Sequence, residues 1–144
     1  AVLSYLLPLV LALLDQRVPN LRKRYNAEWA LVTGASSGIG KALTAALAEQ
    51  GINVVLVALD DENLKMCAAE MRVGFPERQF RVVGANLAAP DGAYMSDVIA
   101  ATADVHVSLL FNNAGFIVTG FFHALPLGKH LANVNCNTVS NLYM

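Results

Sequence analysis

Apolar residues fall along this chain in two alternating rhythms. Short unbroken apolar runs are separated by longer stretches in which apolar positions return every three or four residues. The first rhythm predicts buried strands and the second amphipathic helices. Ala30–Thr33 predicts a strand that stops at Gly34. Ile39–Gln50 predicts a helix, with Ile39, Leu43, Ala46 and Leu47 on one face and Gly51 as its stop. Asn53–Leu59 is a second, β-branched strand, and Asp61–Val73 a second helix closed by Gly74 and Pro76. Phe80–Ala85 predicts a third strand and Asp91–Ala101 a third helix. Val105–Phe111 predicts a fourth strand, running into Asn112-Asn113-Ala114-Gly115. A last helix is expected from near Leu127 to the chain end.

Strands that alternate with helices imply a parallel sheet covered on both faces. Right-handed crossovers then place the first strand centrally. The expected fold is an α/β doubly wound parallel sheet of Rossmann type, with strand order 3-2-1-4. It is incomplete as a doubly wound sheet. The fourth strand is apolar on both faces, a pattern that belongs to the interior of a sheet. At an edge it would expose Leu109, Leu110 and Phe111 to water. Further strands or another chain are expected to cover it.

The N-terminus changes the picture. Residues 1–14 are apolar apart from Ser4 and Tyr5, and Arg17, Arg22, Lys23 and Arg24 follow. Fourteen helical residues span about 21 Å, short of a hydrocarbon core of about 30 Å. The chain starts with Ala, so a longer apolar anchor is expected. The basic cluster would then hold the next domain on the cytoplasmic side of a membrane. A cleaved signal peptide fits less well, because its positive charges should precede the apolar run. The expected organisation is an anchor-like hydrophobic helix at 1–14, a basic linker at 15–28, and a nucleotide-binding domain from 29 to 144.

Composition adds exclusions. The formal charge of −1 gives no reason to expect a nucleic acid partner. Cys67 and Cys136 lie far apart, and His106, His123 and His130 have no helical pairing, so no metal site or disulfide is expected. Met66 and Met71 read as core or surface of one helix.

The most specific chemistry is Thr33-Gly34-Ala35-Ser36-Ser37-Gly38-Ile39-Gly40, set between a predicted strand and a predicted helix. Gly34 permits a tight turn, Gly38 lets the backbone approach a diphosphate, and Gly40 lets helix and strand pack closely. The helix start offers free N–H groups and a positive dipole end to phosphate. Ser36 and Ser37 add hydroxyl donors, and Ile39 completes the loop.

This loop resembles the T-G-x-x-x-G-x-G pattern of the short-chain dehydrogenase/reductase family. The resemblance runs from about Trp29 to the chain end. It implies a dinucleotide cofactor, NAD or NADP, and hydride transfer to or from a carbonyl or alcohol carbon. Asn113, Ala114 and Gly115 resemble the family's N-N-A-G turn, which borders the cofactor. Asn86-Leu87 stands where the family usually has Asp-Leu against the adenine, a departure that removes a charge. Asn135 falls at the family's active-site asparagine, which implies a role in holding a water of the proton relay. Counting from the glycine loop suggests Asp60 or Asp61 as the acid that grips an adenosine ribose. The family register instead puts that position at Ala58, with Leu59 where NADP-dependent members often carry a basic residue. Ala58 has no carboxylate, so the balance tilts to NADP. Asp60 then reads as the N-cap or first-turn acid of the second helix.

The family's remaining catalytic set is a serine and a Tyr-x-x-x-Lys pair. None of Tyr5, Tyr25, Tyr94 or Tyr143 has a lysine four residues on. The chain alone is expected to bind cofactor poorly and to catalyse nothing. The apolar N-terminus and basic linker resemble the membrane-associated very-long-chain 3-oxoacyl reductases and 17β-hydroxysteroid dehydrogenases of the endoplasmic reticulum. That implies a small lipid-like carbonyl substrate. Homodimers through the helix near Leu127 are implied by the family alone. The alternatives are a non-catalytic cofactor-binding or interaction homologue, and a short isoform that modulates a longer partner.

Overall fold

The computed structural model describes Leu6 and residues 19–144. The anchor-like segment 1–14 otherwise lies outside the described residues. Four parallel strands form the sheet: β1 (Trp29–Thr33), β2 (Asn53–Ala58), β3 (Phe80–Gly84) and β4 (Val107–Phe111). Their order is β3-β2-β1-β4, the 3-2-1-4 arrangement expected from the alternation. β1 pairs with β2 from Trp29↔Asn53 to Thr33↔Val57. Its register with β4 shifts between Trp29 and Ala30, so Ser108 is an extra residue in β4.

Within the stretch read as a linker, Leu21–Tyr25 form a five-residue helix, α1. Asn20 caps its start, and Asn26 ends it in the left-handed conformation at φ 48°. Gln50 accepts from the Leu21 amide at 2.7 Å, which ties this helix to the domain. α2 (Gly38–Glu49) and α3 (Glu62–Gly74) follow β1 and β2. Buried Gly40, Thr44, Leu47 and Ala48 make one stripe on α2. Leu64, Cys67, Ala68 and Met71 make the matching stripe on α3, while Met66 is exposed. α4 (Met95–Thr102) begins four residues later than Asp91. Gly92 takes φ 64° and Asp91 accepts from the Ala93 amide, so residues 91–94 form a turn instead.

Alternate residues of β1 and β2 point to opposite faces. Ala30, Val32, Val54 and Leu56 pack under α2 and α3. Trp29, Leu31, Val55 and Val57 pack against Val98 of α4 and Cys136. Each fully buried Val or Leu contributes about 1.5–3 kcal/mol. That is why β1 and β2 are continuous apolar runs. β4 is half-buried, with Leu110 44% exposed, as expected for an apolar edge strand.

One ion pair fixes the end of the sheet remote from the strands' carboxyl termini. Arg81 of β3 forks onto the Asp104 carboxylate and also donates to the Ala101 carbonyl at 2.6 Å. Its guanidinium lies over the Trp29 ring, 4.7 Å from the centroid. Arg81, chiefly by hydrogen bonding, holds the Asp104 carboxyl down at about 2, from an ordinary 3.8. A carboxyl depressed on folding stabilises above its unfolded value, and that stabilisation disappears as pH falls through about 2. The pair is exposed, so its contribution is small. Asp104→Asn should lower the urea midpoint slightly at pH 7, with the difference from the unmodified chain closing between pH 4 and 2. Urea melts across that range check it, and a gap as large at pH 2 as at pH 7 would refute the assignment.

Candidate functional site

Every strand of a parallel sheet delivers its next loop to the same edge, and a cleft of about 500 Å³ opens there. Most of its lining comes from the chain at and just beyond each strand end: Gly34 and Ser36–Ile39 after β1, Ala58, Leu59, Asp61 and Asn63 at the end of β2, Ala85–Ala88 after β3 and Asn113–Phe116 after β4. The cleft therefore sits at the carboxyl ends of the strands, where open α/β sheets bind ligands.

The glycine loop folds as its residues require. Gly34 takes φ 64° and Gly38 φ 52°, conformations that side chains rarely adopt. No atom lies within 4 Å of where a Gly38 Cβ would stand, so this backbone faces open space. Gly40 has a different task. A Cβ there would fall 2.1 Å from the Gly34 carbonyl oxygen and 2.7 Å from Asn113 Nδ2. Gly40 is buried behind the loop and does not line the cleft.

The start of α2 is electrostatically open. Ser37 is its N-cap by backbone, but its side chain makes no capping bond, and the first turn carries no acid. The first amides of a helix have no partner within it. They are left for a ligand, along with the positive end of the helix dipole. α3 differs, because Asp61 accepts from the Leu64 amide at 3.0 Å and Glu62 adds charge. The N-cap is thus Asp61 and not Asp60, whose side chain packs over Gly84.

A threonine locks the loop to the last strand. The buried Thr33 hydroxyl donates to the Phe111 carbonyl at 3.3 Å and accepts from the Asn113 and Ala114 amides at 2.9 and 3.0 Å. Asn113 returns the contact, donating from Nδ2 to the Thr33 carbonyl at 2.9 Å. The glycine loop and the Asn113–Gly115 turn are therefore one unit.

Most of the predicted residues meet in the cleft: Gly34, Ser36, Ser37, Gly38, Ile39, Leu59, Asn86, Leu87, Asn113, Ala114 and Gly115. Ile39 and Leu59 present exposed apolar side chains at 74% and 57%. Asn86 turns back on its own loop, accepting from the Ala88 amide at 3.0 Å. Asn135 is not in the lining; its Nδ2 donates to the Ala88 carbonyl at 3.2 Å. Asn63, Ala85, Ala88, Phe116 and Cys136 line the cleft without having been expected, and Asp61, suggested by counting from the glycine loop, lines it as well. Cys136 comes from the irregular last helix. α5 (Leu127–Val134) passes through a π-helical turn at Asn135–Val139 before α6 (Ser140–Tyr143). Burial pushes the Cys136 thiol up, so it stays protonated at neutral pH and acts as an apolar surface rather than a nucleophile. No cluster of metal-ligating side chains occurs among the described residues.

A parallel 3-2-1-4 sheet, a glycine-rich turn into a helix and a cleft at the strand ends define a Rossmann-type α/β domain. The family model for short chain dehydrogenases matches residues 28–144. The chain belongs to the short-chain dehydrogenase/reductase family. It is 33% identical over 120 residues to a 7beta-hydroxysteroid dehydrogenase of Mediterraneibacter gnavus, covering 83% of this chain and 44% of that protein. It is 34% identical over 98 residues to a very-long-chain 3-oxoacyl-CoA reductase of Podospora anserina, covering 67% and 29%. Among solved structures, one described for 7beta-hydroxysteroid dehydrogenase stereoselectivity superposes at a TM-score of 0.76 and 34% identity, covering 86% of this chain and 46% of that one. A short-chain dehydrogenase from Sphingobium yanoikuyae in complex with NADPH superposes at 0.67 and 29% identity, covering 80% and 44%. The chain spans less than half the length of these relatives.

Two substitutions test the lock. Gly40→Ala gains up to about 1 kcal/mol of helix propensity. The clash with Gly34 O outweighs it, at about 1–3 kcal/mol for overpacking, so a net loss is expected. Thr33→Val strands the Asn113 and Ala114 amides and should cost about 1–3 kcal/mol, whereas Thr33→Ser keeps the hydroxyl and stays near the unmodified chain. Denaturant melts read both. Equal midpoints for Thr33→Val and Thr33→Ser would show that the hydroxyl does not lock the loop.

Proposed function

We propose that this chain is the cofactor-holding part of an NAD(P)-dependent oxidoreductase that moves hydride to or from a carbonyl or alcohol carbon. The observation that carries this reading is the uncapped start of α2, opening onto the cleft over a Gly38 with nothing above it. Amides from residues 38–40, with the Ser36 and Ser37 hydroxyls, suit a diphosphate. Leu59 and Ile39 offer apolar surface to the adenosine half, with Asn86 and Leu87 beside it. Asn113–Gly115 lie toward the nicotinamide half. The nicotinamide supplies the hydride chemistry when bound. The residues bordering the cleft would hold and orient the ring.

NADP is the better-fitting cofactor, because Ala58 brings no carboxylate to the end of β2 and the Sphingobium relative is described with NADPH. A small lipid-like substrate follows from the hydroxysteroid and 3-oxoacyl relatives. Membrane attachment, with the domain on the cytoplasmic side, is supported by apolar residues 1–14 and the basic residues after them, and the endoplasmic reticulum by the resemblance to its membrane-associated reductases. Among the described residues no helix is long and apolar enough to cross a membrane. Pairing of two copies through α5 is favoured by Leu127, Leu131 and Val134, exposed at helical spacing on one stripe.

Saturation-transfer NMR on the full chain in detergent reads even weak binding. NADPH signals should saturate, and Gly38→Ala should weaken binding about tenfold, a loss of about 1.4 kcal/mol, with the far-ultraviolet spectrum unchanged. Leu59→Arg should raise the preference for NADPH over NADH about tenfold through a new charge-assisted contact to the 2′-phosphate. Absence of NADPH binding in the unmodified chain, or full binding by Gly38→Ala, would end this reading. Carbonyl reduction with NADPH should be undetectable in the same sample, because no Tyr-x-x-x-Lys pair exists in the 144 residues.

A further inference from the structure

Three asparagines at alternate positions, Asn133, Asn135 and Asn137, span the junction between α5 and the π-helical turn. Each spends its amide on backbone of a different wall of the cleft or reinforces its neighbour. Asn135 reaches the Ala88 carbonyl, on the loop after β3. Asn137 reaches the exit of β4. Its Oδ1 accepts from the Phe116 amide at 3.0 Å, and its Nδ2 donates to the Phe116 carbonyl at 2.9 Å. Asn133, four residues earlier on the same face, donates to that same carbonyl. Gly115 lies so close that a Cβ there would stand 3.0 Å from Asn137 Oδ1.

A carboxamide offers a donor and an acceptor side by side without carrying charge. Asn137 therefore pairs with Phe116 as a neighbouring strand would, at a point where the chain has left β4 and has no strand beside it. The segment it holds, Gly115–Phe116, lines the cleft directly after the Asn113–Ala114 clasp. Thr33 fixes this segment at its start, and Asn137 fixes it two residues further on.

We propose that Asn137 is a positioning residue for the nicotinamide half of the cleft, acting through the backbone of Gly115 and Phe116. This rests on the reading of the cleft as a dinucleotide site. The adenosine half lies toward the end of β2 in such folds, so Asn137 bears on one half of the ligand only. Loss of its amide loosens the β4 wall and leaves the β2 end and the glycine loop as they were.

The test is titration of the full chain, in detergent, with NADPH and separately with ADP, which fills only the adenosine and diphosphate positions. Asn137→Ala should weaken NADPH binding about fivefold to tenfold, in line with about 1–1.4 kcal/mol, with ADP affinity unchanged. Asn137→Asp keeps the acceptor for the Phe116 amide but turns a second oxygen toward its carbonyl, so it should show the same selective loss at neutral pH. Asn137→Asp decides the matter if Asn137→Ala fails to fold. Equal losses for NADPH and ADP mean a general structural role and overturn the proposal, as does unchanged NADPH binding. If the unmodified chain binds neither ligand, the dinucleotide reading itself falls, which is a separate outcome.

Discussion

The site depends on one hydroxyl whose hydrogen-bonding capacity is fully used. Thr33 ends the central strand, and its Oγ1 donates once and accepts twice. A hydroxyl has one proton and two lone pairs to offer. All three go to the chain leaving β4, so two loops far apart in sequence become one rigid floor. A parallel sheet by itself brings strand ends together only to within the spacing of neighbouring strands. The clasp removes the remaining freedom, and the tight approach of Gly34 and Gly40 to Asn113 follows from it. A residue with a larger side chain at either glycine would push the two loops apart and open the floor.

The sequence made the sheet legible because its physics is local and repetitive. Continuous apolar runs at β1 and β2 reflect burial on both faces, and the stripes on α2 and α3 reflect burial on one. The glycine loop was legible for a related reason: Gly34 and Gly38 need positive φ, and a turn between strand and helix is where such residues are tolerated. The start of α4 was less legible. Asp91 looks like a helix cap, yet Gly92 at positive φ diverts the chain into a turn. The short α1 was hidden because its basic residues are all exposed and only Leu21 packs against the core.

The contents of the cleft were harder to read than its frame. Asn63 reaches it from the first turn of α3, Phe116 from the chain beyond β4 and Cys136 from the π-helical turn. None of these placements has a periodic signature. Asn135 shows the reverse case. Resemblance singled it out, and the structure places its amide on the Ala88 carbonyl, outside the lining.

The charge around the cleft sharpens what it can select. At the start of α2 the amides are free and unopposed by acid, so the glycine loop attracts anions. At the start of α3 the Asp61 carboxylate has already met the helix amides, so that dipole is satisfied internally. Of these two helix starts, that of α2 is the one whose charge suits a phosphate. The end of β2 offers neither a cation nor an unspent acid among the lining residues, only Leu59 and the capped Asp61. Discrimination at the adenosine ribose then rests on shape and on neutral donors such as Asn63. On the proposed dinucleotide reading, the diphosphate is held at the glycine loop and the 2′ position is left weakly specified.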